Sequence, residues 1–223
     1  WQLSLLKNGA RPGKPEEELP WGDIWVPYPP ESVLSGVMKT PGTCDALLYR
    51  RSFTLPEGFV KNRVLLHFGA VDTLAEVVLN GVPVGGHLGN YLPFSMDITE
   101  ALNPAPGAVQ TIEVRTEDPL DPDFPYGKQR VKRGGMWYTP VSGIWQTVWL
   151  EAVPNDYVSG IKITPKCAGA EIEVFGVSDG IIICEGREYP ITDGKAVITP
   201  ACPKLWTPES PYLYDFTVKA QDG

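Results

Sequence analysis

The chain has 223 residues, 43% of them hydrophobic and 21% charged, with a net charge of −8. That length suits two ordinary domains or one large β domain, and the acidity argues against an electrostatic grip on nucleic acid or anionic lipid. Glycine and proline, 23 each, make about a fifth of the chain, too punctuated for long helices in a sequence too apolar for disorder.

No run of 18 apolar residues is present, so no membrane-spanning helix is expected. The sequence opens on Trp1, without a methionine or a basic-then-apolar leader. A removed signal peptide would place the protein in the periplasm or outside the cell; otherwise the cytoplasm is expected. Cys44, Cys167, Cys184 and Cys202 form no CxxC pair, which argues against zinc and thioredoxin-like sites. They read as buried free thiols, with a disulfide among Cys167, Cys184 and Cys202 as the alternative.

In chain order, the first forty residues carry Trp21, Trp25, Tyr28 and six prolines without usable periodicity. They are expected as an extended arm over a core, with one helical turn at 31–37. Strand patterning starts at Ala46, with ALLYRRSFTL, RVLLHFG and LAEVVLN in succession. Asn80-Gly81 is a strong hairpin signal because both residues tolerate positive φ, with a return strand over 82–84. Further strands are expected at 91–98, 109–116 and 146–153. Turn signals about every ten residues favour a sandwich or jelly roll, so the expected class is all-β. A boundary is expected at Pro154-Asn155-Asp156, dividing the chain into 1–154 and 155–223. Short strands follow at 160–164, 171–177, 180–185, 196–199 and 212–220.

Several clusters are candidates for chemistry. Glu117, Asp118, Asp121 and Asp123 crowd a loop broken by Pro119, Pro122 and Pro125. It reads as a solvated loop, as a loop leaning toward a neighbouring active site, or as a calcium or catalytic site. The prolines oppose the tight wrap of six or more oxygens that calcium needs. His87, in GGHLGNY, either bonds backbone in a glycine-rich turn or donates to a sugar hydroxyl. His67 reads as a satisfied strand histidine. Trp137, Tyr138, Trp145 and Trp149 fall within thirteen residues. Strand parity assigns Trp145 and Trp149 to the core, while Trp137 and Tyr138 follow a basic, flexible approach and suit an interface or a sugar face. Lys128, Arg130, Lys132 and Arg133 balance the preceding aspartates or reach an acidic sugar. No metal site and no cofactor are expected.

The segment LLHFGAVDTLAEVVLNGVPVGGHLGNYLPFSMDIT (65–99) resembles the non-catalytic sugar-binding domain of glycoside hydrolase family 2, as does GMWYTPVSGIWQTVWL (135–150). LWTPESPYLYDFTV (205–218) is similar to the immunoglobulin-like domain that follows it there. The likeness spans roughly residues 21–220. It implies a jelly-roll, galactose-binding-like sandwich and then an immunoglobulin-like sandwich truncated at its C-terminal end. It implies the N-terminal, non-catalytic portion of a retaining exo-β-glycosidase, whose two glutamates sit on a barrel outside this chain. The partner implied is a carbohydrate substrate bound through that barrel, with dimer surfaces on these two domains. The substrate-pocket candidates are Trp137, Tyr138, His87, Asn90, Asp118 and Asp121. One departure matters: Gly135 stands where the β-galactosidase branch carries a pocket aspartate before Met-Trp, so that contribution is not carried over. The rivals are a freestanding carbohydrate-binding module and purely structural support domains.

Overall fold

The computed structural model describes residues 1–10, 13–132 and 134–220. The chain is all-β and divides into two compact units, Trp1–Ala152 and Val153–Gly223. Among the described residues no helix is long and apolar enough to cross a membrane.

The first unit holds β1 (Gln2–Lys7), β2 (Glu17–Glu18), β3 (Gly22–Asp23), β4 (Ala46–Thr54), β5 (Arg63–Phe68), β6 (Val71–Asp72), β7 (Leu74–Leu79), β8 (Val82–Leu88), β9 (Phe94–Asp97), β10 (Val109–Glu117), β11 (Gly143–Ile144) and β12 (Val148–Val153). A seven-stranded sheet in the order β2-β1-β4-β10-β7-β8, with β3 alongside β1, faces a three-stranded sheet β12-β5-β9. Period-two alternation sets the inner face. β10 turns Gln110, Ile112, Val114 and Thr116 inward, and β7 turns Ala75, Val77 and Leu79 inward. These meet Val64, Leu66 and Phe68 of β5 in one apolar core that includes the fully buried Tyr49 ring. Burying such side chains contributes on the order of 1.5–3 kcal/mol each.

Asn80 and Gly81 take φ of 52° and 80°, the left-handed pair that closes β7 onto β8. The Asn80 side chain also donates to Ala101 O at 2.8 Å and to Gln110 Oε1 at 2.7 Å, and accepts from Thr111 N at 2.9 Å. Buried Gln110 is thereby satisfied. β8 forms the outer edge of the sheet, opposite a bulge between Val77 and Val78.

Three expectations change. The opening residues are no mere arm: β1 pairs with β4 over five positions, using apolar Leu3 and Leu5 as sheet residues. The helical turn shrinks to a 3₁₀ turn, Val33–Ser35, capped by the Ser32 hydroxyl. Trp149 is 43% exposed, because β12 begins at Val148 and turns Val148 and Leu150 toward the core. Its indole stacks on His67 at 4.9 Å, whose Nδ1 lies 2.6 Å from Ser95 Oγ.

The second unit holds β13 (Gly160–Lys166), β14 (Gly169–Phe175), β15 (Gly180–Cys184), β16 (Arg187–Ile191), β17 (Lys195–Ile198) and β18 (Phe216–Ala220). Two sheets, β13-β14-β17 and β16-β15-β18, enclose a core of Ile172, Val174, Ile182, Cys184, Ile191 and Ile198 in an immunoglobulin-like sandwich. All four cysteines are free; Cys184 is buried, but Cys167 and Cys202 are exposed, against the expectation of uniformly buried thiols. Both exposed thiols lie outside named strands, where no core face exists to cover them.

Candidate functional site: a buried acid cluster and the loop it holds

Five segments of the first unit converge on a polar cluster. Asp72, at the end of β6, is 2% exposed. It accepts from Thr73 Oγ1 at 2.6 Å, from Asn90 Nδ2 at 2.6 Å and from Gln129 Nε2 at 3.4 Å. Asp118, just beyond β10, lies 3.4 Å from Thr73 Oγ1 and accepts from Leu120 N at 2.9 Å. Gln129 acts as a clasp: its Nε2 donates to Tyr126 O at 2.8 Å, and its Oε1 accepts from Val141 N. Glu31, from the N-terminal segment, accepts from Ser142 Oγ at 2.6 Å and from Ser142 N at 3.3 Å. Both ends of residues 126–142 are therefore tied to carboxyls, the buried Asp72 through Gln129 and the half-buried Glu31 through Ser142.

These carboxyls resist ionisation. Burial pushes Glu31 up to about 7, against the lowering hydrogen bonds from Ser142, and Asp118 adds like charge. Burial likewise pushes Asp72 up to about 6, with Asp118 again adding to the rise. Asp118 itself is raised by burial. A carboxyl near 7 has the acidity of a general acid. Access decides against that role. Asp72 is sealed, and the gap lined by Glu31, Thr116, Asp118 and Ser142 measures about 10 Å³, room for one water and not for a sugar ring.

What the cluster does is hold a loop. Gln129 bridges to Tyr138, with Tyr138 N donating to Lys128 O at 2.8 Å. The Arg130 guanidinium lies 3.7 Å from the Trp137 ring centroid, a cation–π pair that stiffens the loop tip. Tyr138 is 67% exposed and Trp137 half-buried, so both present aromatic surface on an anchored base.

The six candidates separate accordingly. Trp137 and Tyr138 sit on the held loop, and Asn90 and Asp118 belong to the cluster beneath it. Asn90 is buried with its side-chain amide turned to Asp72, while its backbone carbonyl accepts from Trp145 Nε1 at 2.9 Å. His87 lies flat on Phe94 at 4.2 Å, and Phe94 in turn stacks on Phe68 of the core. Asp121 accepts from Asp123 N at 2.9 Å and so closes its own turn. Arg133 lies outside the described residues. Glu31, Asp72, Gln129 and Ser142 escaped the sequence reading. The lone acid of the apolar run FGAVDTLA was the available signal for Asp72. Among the described residues no group of three or more His, Cys, Asp or Glu side chains is placed to hold a metal ion.

Residues 43–143 match the glycosyl hydrolase 2 galactose-binding domain-like family. The chain is 31% identical over 194 residues to a β-galactosidase of Thermoanaerobacter pseudethanolicus, covering 77% of this chain and 25% of that protein. It is 30% identical over 176 residues to a putative β-glucuronidase of Formosa agariphila, covering 69% and 20%. Among solved structures, a β-glucuronidase of Ruminococcus gnavus matches the whole chain and 42% of its own at a TM-score of 0.66 and 21% identity. A β-galacturonidase of Eisenbergiella tayi matches the whole chain and 40% of its own at a TM-score of 0.58 and 25% identity. The chain thus spans a quarter or less of those two curated relatives. With its sandwich fold and these relatives, the chain belongs to glycoside hydrolase family 2, where it corresponds to the N-terminal, galactose-binding-like portion.

Proposed function

We propose that this chain is the non-catalytic portion of a retaining exo-β-glycosidase of the β-galactosidase or β-glucuronidase type. In this reading residues 1–154 form a sugar-binding-type module, residues 155–223 an immunoglobulin-like support, and the catalytic carboxyls lie on a separate barrel. The observation that carries it is the pairing of acids already committed to protein hydrogen bonds with a presented aromatic loop. Glu31 and Asp72 are spent on holding residues 126–142 and Asp118 on its own turn and Thr73, while Tyr138 stands in solvent. Hydrolysis with retention needs two accessible carboxyls about 5–5.5 Å apart on either side of one bond, which this cluster cannot offer a sugar. The loop instead borders the substrate pocket, with Trp137 and Tyr138 supplying stacking faces and Asn90 and Asp118 supporting them from beneath.

The test compares residues 1–223 with the natural-length protein on p-nitrophenyl β-galactoside and β-glucuronide. Turnover is expected from the natural-length protein alone. Turnover by purified residues 1–223 that survives a mock-purification control would overturn the reading. In the natural-length protein, Tyr138→Ala should raise KM more than it lowers kcat.

A further inference from the structure

A second surface of the first unit has the features of a ligand site and shares no residue with the acid cluster. It is a groove of about 560 Å³ lined by Trp1, Asp23, Trp25, Arg50, Arg51 and Ser52, among others. That volume falls within the range of small-ligand sites. We propose that this groove binds a carboxylated sugar, a uronic acid residue of an oligosaccharide, with its ring face on Trp25 and its carboxylate on Arg51.

The indole of Trp25 is 72% exposed, yet its backbone is fixed on both sides. Its N–H donates to Ser35 O, and its carbonyl accepts from Tyr28 N, both at 3.0 Å. Trp1 is fixed too: its carbonyl accepts from Ile24 N at 3.0 Å, and its ring meets Tyr49 edge-on at 6.4 Å. Rigid aromatic faces held open to water lose little entropy when a ring stacks on them. The two arginines differ in availability. Arg50 is committed, with Nη2 2.7 Å from Glu113 and its guanidinium 4.5 Å from the Trp21 ring centroid. Arg51 lies 5.8 Å from the Trp1 ring centroid and, among the described residues, makes no ion pair with a carboxylate. Its planar fork is free to take a carboxylate through two parallel hydrogen bonds. Asp23 and Ser52 offer acceptors for ring hydroxyls.

The inference does not depend on hydrolysis, and its test reads binding alone. Residues 1–223, which in the reading above carry no catalytic barrel to bind or consume the probe, are titrated with cellobiouronic acid and with cellobiose, which differ only in the carboxylate. Tryptophan indole NMR signals report the contact. Cellobiouronic acid should shift the Trp1 and Trp25 signals and bind about fivefold more tightly than cellobiose, the most an exposed ion pair usually gives. Arg51→Met should erase that difference, Arg51→Lys should keep part of it, and Trp25→Ala should weaken both sugars; circular dichroism checks that each variant is folded. Equal affinity for the two sugars, or no indole shift at millimolar concentration, would overturn the proposal. Either result leaves the glycosidase assay untouched.

Discussion

Replacing Gln129 by alanine tests whether the acid cluster exists to hold the loop. The side chain makes three hydrogen bonds: to Tyr126 O, to Asp72 and from Val141 N. Tyr126 O regains water, so its loss costs about 0.5 kcal/mol, and the long bond to Asp72 costs a similar amount. The orphaned Val141 N–H costs about 1 kcal/mol more. The total is about 2 kcal/mol, and it falls on local opening of residues 126–141, leaving the global transition nearly unchanged. At about 1.4 kcal/mol per decade, the open form should rise roughly 30-fold. Lys128, Arg130 and Lys132 lie within that segment, so trypsin reads the opening directly. In the fast-closing regime the cleavage rate follows the open population and should also rise about 30-fold. A rate within about threefold of the parent would refute the clasp, because the loop would then be held by something else.

Stability should depend on pH through Glu31 and Asp72. Both folded-state values are raised, so the folded state binds more protons than the unfolded chain between the ordinary carboxylate range and about 7 for Glu31 and about 6 for Asp72. The contribution is full below pH 4 and is lost as the pH rises through those values, on the order of 3 kcal/mol for Glu31. Thermal melts from pH 4 to 8 should fall accordingly, and Glu31→Gln should flatten the fall and melt higher than the parent at pH 8. Gly143→Ala should be severe: φ is +72°, and an added Cβ would meet the Tyr49 hydroxyl and approach Leu47 Cδ1 to 2.9 Å. A cost of about 3 kcal/mol or more is expected, a loss of roughly 6–12 °C in melting temperature by scanning fluorimetry. In the second unit, Ile182→Ala empties a fully buried site and should cost about 2–5 kcal/mol. Hydrogen exchange should show that loss within residues 153–220 and leave β5, β7 and β10 protected.

The elements legible in the sequence were those governed by local rules. Leu74–Leu79 and its return strand follow from alternation and from Asn80-Gly81, whose backbone angles are what such a turn requires. The length of β8 was not legible: the expected return strand stopped at Val84, but pairing with β7 carries it to Leu88. β1 was hidden because LSLLK lacks a clean period, and its strand state comes from pairing with β4, some forty residues away. Trp149 shows how parity fails across a break: β11 ends at Ile144 and a bend at Gln146 precedes β12, so alternation counted from Val141 and Trp145 does not carry on to Trp149. Around the loop, the exposure of Tyr138 was legible because a glycine-rich, basic approach leaves it no core, whereas the half-burial of Trp137, packed under Arg130, was not. The acids beneath them were not. Glu31 and Ser142 are 111 residues apart, and only the folded sheet brings them to hydrogen-bonding distance.

The outer edge formed by β8 bears on how the molecule behaves when crowded. An edge strand offers a row of unpaired backbone groups on which another chain can crystallise a ribbon. Here Pro83 removes one donor from that row, Gly85 and Gly86 give an incoming strand no side chains to lie against, and the bulge between Val77 and Val78 increases the local twist. A flat partner strand would find neither register nor grip along β8. The same residues that shape the hairpin next to the loop thus discourage fibrous self-association from this side of the sheet.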